Sequence, residues 1–166
     1  MRILGIDPGY GITGFGLVEA QRGQFRLLRC GAITTPPNTD FSWRQEVIYN
    51  DMVELLRVTK PDVVAIEELF FGHNVTTGIG VAQSRGVILL AIRQAGLEMT
   101  AYKPMQVKQA LVGYGNATKH QMQDMTRRLL HLQAMPKPDD AADAIAIALC
   151  HARSSTSLIA QAQGKL

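Results

Sequence analysis

Cysteine and histidine are scarce in this chain, with two of the first and four of the second among 166 residues. Cys30 and Cys150 stand alone, with no C-x-x-C pair and no Cys/His spacing suited to zinc. That excludes a disulfide framework and a zinc centre, and both thiols read as small core residues in a reducing, cytosolic compartment. No apolar run approaches the roughly 20 residues that span a bilayer, so a membrane role is not expected. Met1-Arg2 leads straight into a predicted strand, which leaves no room for a signal peptide. Internal repeats, low-complexity blocks and a strong excess of one charge are also missing. The net charge of +3 and a pI near 9.0 favour a polyanionic partner only mildly. What remains, 46% apolar and 19% charged residues, is the composition of one soluble globular domain.

Residues 2–7 form a continuous apolar run, the kind buried on both faces of a sheet. Beyond the turn Pro8-Gly9-Tyr10-Gly11, Phe15 and Leu17 alternate as a second strand, and a third spans about 25–33. Ser42-Trp43-Arg44-Gln45 has the form of a capping box, and the helix it opens stops at Lys60-Pro61-Asp62. Residues 63–67 are a fourth strand, 75–95 a long helix of small residues, and 99–102 a short fifth strand. Pro104 opens the next helix, Thr118 to Gln121 is a second capping box, and the last helix runs from Asp139 or Asp140 to Arg153. The order predicts an α/β domain with a mixed five-stranded sheet flanked by helices, spanning 1–153 with a polar, fraying tail over 154–166. A helical crossover lays its two strands parallel, so the first and fourth strands are expected side by side, with Asp7 and Glu67 level.

These two acids carry the chemistry. Each ends a buried strand, where a carboxylate is costly without a partner or a metal. Asp140 and Asp143, spaced i and i+3, share one face of the last helix. Each has an ordinary alternative: Asp7 as a turn residue before Pro8, one of Glu67 and Glu68 as a solvated charge, and the aspartates as partners of the helix dipole, with Asp139 as its cap. Jointly they favour a site of hard oxygen ligands for Mg²⁺ or Mn²⁺, where two such ions activate water against a phosphodiester. Gly9 to Gly14 also match G-x-G-x-x-G, but a strand follows where that fingerprint must open a helix. Those glycines are expected to make a tight hairpin and admit a large substrate.

Phe70-Phe71, in a polar loop beside Glu67, suit either the core or stacking on an unpaired base. Lys103, Lys108, Lys119, Arg127 and Arg128 are either solvated or a phosphate-contacting face. The histidines read mostly as surface residues, with His73 the one of interest beside Glu67.

Residues 3–9 (Ile-Leu-Gly-Ile-Asp-Pro-Gly), Ala65-Ile66-Glu67, 104–109 (Pro-Met-Gln-Val-Lys-Gln) and 140–144 (Asp-Ala-Ala-Asp-Ala) together resemble the RuvC family of bacterial Holliday junction resolvases. The resemblance runs nearly end to end. It implies a ribonuclease H-like fold, a cytoplasmic homodimer, and Mg²⁺- or Mn²⁺-dependent cutting of opposed strands of a four-way DNA junction, with two ions per site. It places metal-binding, catalytic carboxylates at Asp7, Glu67, Asp140 and Asp143. Phe70 falls where the family has an aromatic acting on bases, and Lys108 and Lys119 match basic residues beside the scissile backbone. It further implies the RuvAB branch-migration motor as partner. The small-residue helix over 75–95 suits either a twin chain or the sheet. Three rivals remain: one lobe of a sugar-kinase-like fold, a nuclease for other structured nucleic acid, and a junction binder that does not cut.

Overall fold

The computed structural model describes residues 1–69 and 75–163. Five strands form one sheet: β1 (Arg2–Asp7), β2 (Ile12–Gln21), β3 (Gln24–Thr34), β4 (Val63–Glu67) and β5 (Met99–Tyr102), in the spatial order β3-β2-β1-β4-β5. The first three make an antiparallel meander, and β4 and β5 are returned parallel to β1 through helices. The helices are α1 (Phe41–Thr59), α2 (Val75–Gln94), α3 (Pro104–Val112), α4 (Lys119–Leu129) and α5 (Asp139–Gln163). The predicted pairing of the first and fourth strands holds, with Ile6 opposite Ile66.

The central strands are apolar throughout because both faces are covered. Leu4, Ile6, Val64 and Ile66 meet Ile48, Met52, Leu56, Ile88 and Ile92 of α1 and α2. On the other face Ile3 and Ala65 pack under α3, α4 and α5, with Val107, Met122 and Ile145. Side chains alternate along a strand, so Asp7 shares a face with Ile3, and Glu67 with Ala65. Both acids therefore point to the side on which α5 lies.

α5 approaches the sheet more closely than side chains normally permit. A Cβ on Gly5 would lie 2.0 Å from the Ala144 carbonyl oxygen, and one on Gly14 2.0 Å from that of Asp140. A Cβ on Gly16 would meet Ile145, at 2.5 Å from its side-chain Cγ1 and 2.9 Å from its main-chain Cα and N. Three glycines thus form a trough for a helix whose inward residues are mostly alanine, including Ala141, Ala144 and Ala148. Gly14 admits this helix rather than the substrate its motif suggested.

Three local readings are corrected. The cap of α1 is Asp40, whose Oδ1 accepts the Trp43 N–H at 2.9 Å, while Ser42 lies inside the first turn and donates to Asp40. α5 continues to Gln163 rather than ending at Arg153, since residues 154–163 contain neither proline nor glycine. His151 is not a surface residue: it is half-buried, with Nδ1 2.9 Å from the Tyr102 hydroxyl. The second capping box forms as expected, with the Thr118 N–H on Gln121 Oε1 at 2.9 Å. Among the described residues, no helix is long and apolar enough to cross a membrane.

Candidate active site

Asp7 and Glu67 end the two central strands side by side, and their carboxyls share a hydrogen bond. Burial is the main cause that raises Asp7, to about 8, followed by the charge of Glu67, its hydrogen bond, and the charges of Asp143 and Asp140. Glu67 is also raised, mainly by burial, although the proton offered by Asp7 pulls it back. Burial and mutual repulsion thus push both carboxyls toward the neutral form. Neighbouring Glu68 is exposed, so Glu67 is the half-buried member of that pair. The Glu67 main chain is held from α2, where Arg85 Nε donates to its carbonyl at 3.1 Å.

α5 supplies the remaining acids. Asp143 is half-buried and raised by burial, against the lowering pull of Lys119. Lys119, first residue of α4, lies between two acids, its Nζ 3.1 Å from Asp139 Oδ2 and 3.3 Å from Asp143 Oδ2. Asp139 lies within the first turn of α5 and is not its cap. Asp140 stands one turn earlier on the same face as Asp143, and its charge reaches both Asp7 and Asp143. Asp7, Glu67 and Asp143 therefore meet at one end of the central strands, with Asp140 outside the cleft lining but within electrostatic reach of Asp7 and Asp143.

A cleft of about 250 Å³ opens beside them, lined by Asp7, Glu67, Asp143, Lys108 and Lys119, with Pro104, Val107 and Met122 as its apolar wall. Both predicted lysines are thus at the acids. Lys103, Arg127 and Arg128 are not in this lining, and the two arginines pair instead with Asp124. Phe70, Phe71 and His73 lie outside the described residues. A larger groove of about 700 Å³ occupies the opposite end of the sheet, around Phe25, Arg26 and Arg128, away from the acid cluster.

The donor set is all oxygen, which suits Mg²⁺ or Mn²⁺ rather than zinc. Acids driven into sharing a proton, with an ammonium drawn in from α4, are a site short of positive charge, and a divalent ion fits that need. Among the described residues, no three acid, histidine or cysteine side chains form a ready ligand set. Asp7 and Glu67 are bonded to each other and Asp143 to Lys119, so an ion would have to displace a proton and that lysine.

A sheet of this order, whose central parallel strands end in two acids and whose last helix brings two more, defines a ribonuclease H-like nuclease. The model of the family "crossover junction endodeoxyribonuclease RuvC" matches residues 3–151, and the chain belongs to the RuvC family. A relative from Heliobacterium modesticaldum is 53% identical over 156 residues, covering 94% of this chain and 96% of its own. One from Chloroflexus aurantiacus is 51% identical over 158 residues, covering 95% and 96%. Among solved structures, Thermus thermophilus RuvC superimposes with a TM-score of 0.88 at 38% identity, covering 95% of this chain and 96% of that one. The same protein in complex with Holliday junction substrate gives 0.88 at 38%, covering 93% and 94%. The yeast mitochondrial resolvase Ydc2 shares the fold, with a TM-score of 0.70 at 14% identity over 95% and 81% of the two chains.

Sequence reading missed three parts of this site. Arg85 and the glycine trough give no signal without knowing which residues face one another. The contacts of Arg44 with Thr35 and the Tyr10 carbonyl were hidden inside what looked like a capping box.

Proposed function

We propose that this chain resolves Holliday junctions as a metal-dependent endonuclease, with Asp7, Glu67, Asp140 and Asp143 as its metal-holding, catalytic carboxylates. The observation that carries the reading is the cleft that gathers Asp7, Glu67 and Asp143 beside Lys108 and Lys119, in a chain of this family. Two ions, Mg²⁺ or Mn²⁺, would activate a water and stabilise the leaving 3′ oxygen, yielding a 5′-phosphate and a 3′-hydroxyl. The chain's own part is to gather the acids on the two central strands and α5. With cations on the acids, Lys119 would be released from Asp143 and would hold the scissile backbone together with Lys108. The apolar wall of Pro104, Val107 and Met122 keeps bulk water from one side of the cleft. Phe70 acts on bases near the junction centre.

The working form in this proposal is a cytoplasmic homodimer, because two symmetric nicks require two sites. Its interface is the outer face of α1 and α2, where Trp43, Ile79 and Leu90 are each close to half exposed. The RuvAB motor delivers the junction.

The test incubates the protein with a mobile four-way junction, a linear duplex and an RNA–DNA hybrid, with Mg²⁺, Mn²⁺ or chelator. Paired, metal-dependent nicks in the junction alone, lost in Asp7→Asn while junction binding survives, are expected. Binding without nicks would reduce the protein to a junction-binding module, and preferential cutting of the hybrid would reassign its substrate.

A further inference from the structure

Arg44 is 8% exposed, and among the described residues it faces no acid. Taking a guanidinium out of water without an anion is costly, so its neighbours must repay it with geometry. Its Nε donates to Thr35 Oγ1 at 2.9 Å and its Nη2 to the Tyr10 carbonyl at 2.9 Å. The Thr35 hydroxyl donates to that same carbonyl, which closes a three-membered ring of contacts between α1, the segment after β3, and the turn after β1. The Thr35 N–H adds a bond to the Gly11 carbonyl at 2.9 Å.

The ring of Tyr10 is held as firmly as its carbonyl. Arg44 Cζ stands 4.9 Å from its centroid, and Phe41 packs against it at 6.0 Å. Gly80 of α2 lies so close that a Cβ there would be 3.0 Å from Tyr10 Cδ1. From the inside, buried Thr13 donates to the Gly9 carbonyl at 2.6 Å and accepts the Gly9 N–H at 3.3 Å. The turn over 8–11 is thus fastened on both sides, and it begins at the residue after Asp7.

A neutral amide could supply single hydrogen bonds at less desolvation cost. What arginine adds is a planar fork that engages a carbonyl and a hydroxyl together while its face lies on a ring. Charge is not its contribution at Asp7, where burial and the surrounding acids set the carboxyl.

We propose that Arg44 is a positioning residue for the reaction: by clamping the Tyr10 carbonyl and the Thr35 hydroxyl it fixes the 8–11 turn, and through it the direction of the Asp7 carboxyl toward Glu67. The proposal rests on the reading of Asp7 as a metal-holding acid. Misplacing a reacting group by about 1 Å costs on the order of 100-fold in rate.

The experiment compares full-length Arg44→Lys, Thr35→Val, the double Arg44→Lys/Thr35→Val and Asp7→Asn proteins with the wild type. It reads single-turnover cutting of a four-way junction, junction affinity, Mn²⁺ binding by calorimetry, and amide exchange over residues 9–11. For Arg44→Lys the expected result is a rate loss of about 10- to 100-fold, with junction affinity retained, Mn²⁺ binding weakened and faster exchange in the turn. Thr35→Val removes one corner of the clamp at nearly constant volume, so it should lose less, and the double variant should be no worse than Arg44→Lys alone. Wild-type rates and Mn²⁺ affinity in both variants, with Asp7→Asn inactive, would overturn the proposal and leave the Asp7 reading intact. An active Asp7→Asn would instead overturn the reading beneath it. Parallel loss of junction binding and cutting, with Mn²⁺ affinity unchanged, would make Arg44 a DNA contact and also defeat the proposal. If Arg44→Lys fails to fold, Thr35→Val decides on the same readouts.

Discussion

Asp7→Asn is expected to stabilise the protein when no divalent ion is present, and increasingly so as the pH rises. Asp7 titrates at about 8 in the fold against an ordinary 3.8. The unfolded chain gives up this proton near pH 4 and the folded chain only near pH 8, so between those values unfolding releases a proton and the native state loses stability as pH rises. The difference is roughly four units, or about 6 kcal/mol at about 1.4 kcal/mol per unit. Asparagine avoids that cost but buries an amide imperfectly bonded to Glu67, which takes back about 1–3 kcal/mol. It also lets Glu67 ionise alone in a half-buried place, so a net gain of about 2 kcal/mol at pH 8 is the working figure. For a chain of this size that corresponds to a rise in Tm of roughly 4–8 °C, shrinking toward zero at pH 4.5. Thermal unfolding followed by circular dichroism in chelator, at pH 4.5, 6 and 8, measures it. Added Mg²⁺ should reverse the order, because the wild type gains more from binding the ion than a variant short of one ligand. A variant no more stable than the wild type at pH 8 in chelator, or a gain independent of pH, would refute the picture of a crowded pair sharing a proton.

Gly14→Ala should cost about 1–3 kcal/mol, since the new methyl meets the Asp140 carbonyl at 2.0 Å. The same change should depress cutting by on the order of 100-fold by displacing the start of α5, which denaturant titration and a junction assay would separate. Lys119→Met should slow cutting by about 100-fold and reduce the salt dependence of junction binding by about one ion, read from rates and affinities over a salt series. An unaffected rate would assign Lys119 to the surface, as its exposure alone suggests.

The sheet was readable because its strands carry clear hydrophobic patterns. β1 and β4 are unbroken apolar runs, as strands covered on both faces must be, and their helical crossover fixed them as parallel neighbours. That one inference set Asp7 beside Glu67. The direction in which the acids point follows from alternation along each strand, yet it becomes visible only once α5 is known to cover the face of Ile3 and Ala65. Long-range fastening was not legible. Arg44 and Arg85 occupy ordinary helical positions, and their partners are the main-chain carbonyls of Tyr10 and Glu67, groups every residue possesses. The Ser42 reading failed because Asp40 sits one residue before the helix, where a cap belongs, and takes the Trp43 amide, so the helix has already begun at Ser42. The end of α5 was misplaced because polar composition reduces burial without itself breaking a helix.

The seat of α5 on Gly5, Gly14 and Gly16 makes two of the four acids a matter of main chain meeting main chain. Side chains in a core hop between rotamers and can be exchanged for others of similar volume, and a helix resting on them shifts by small amounts each time. A helix whose carbonyls lie against bare glycine backbone has no such intermediate layer. The distance from Asp140 and Asp143 to the strand ends is therefore insulated from thermal repacking and from drift in the apolar residues on either side of the sheet. Sequences can diverge widely in the core under this arrangement while the acids keep their spacing, and the tolerance ends abruptly wherever one of those three positions gains a single carbon.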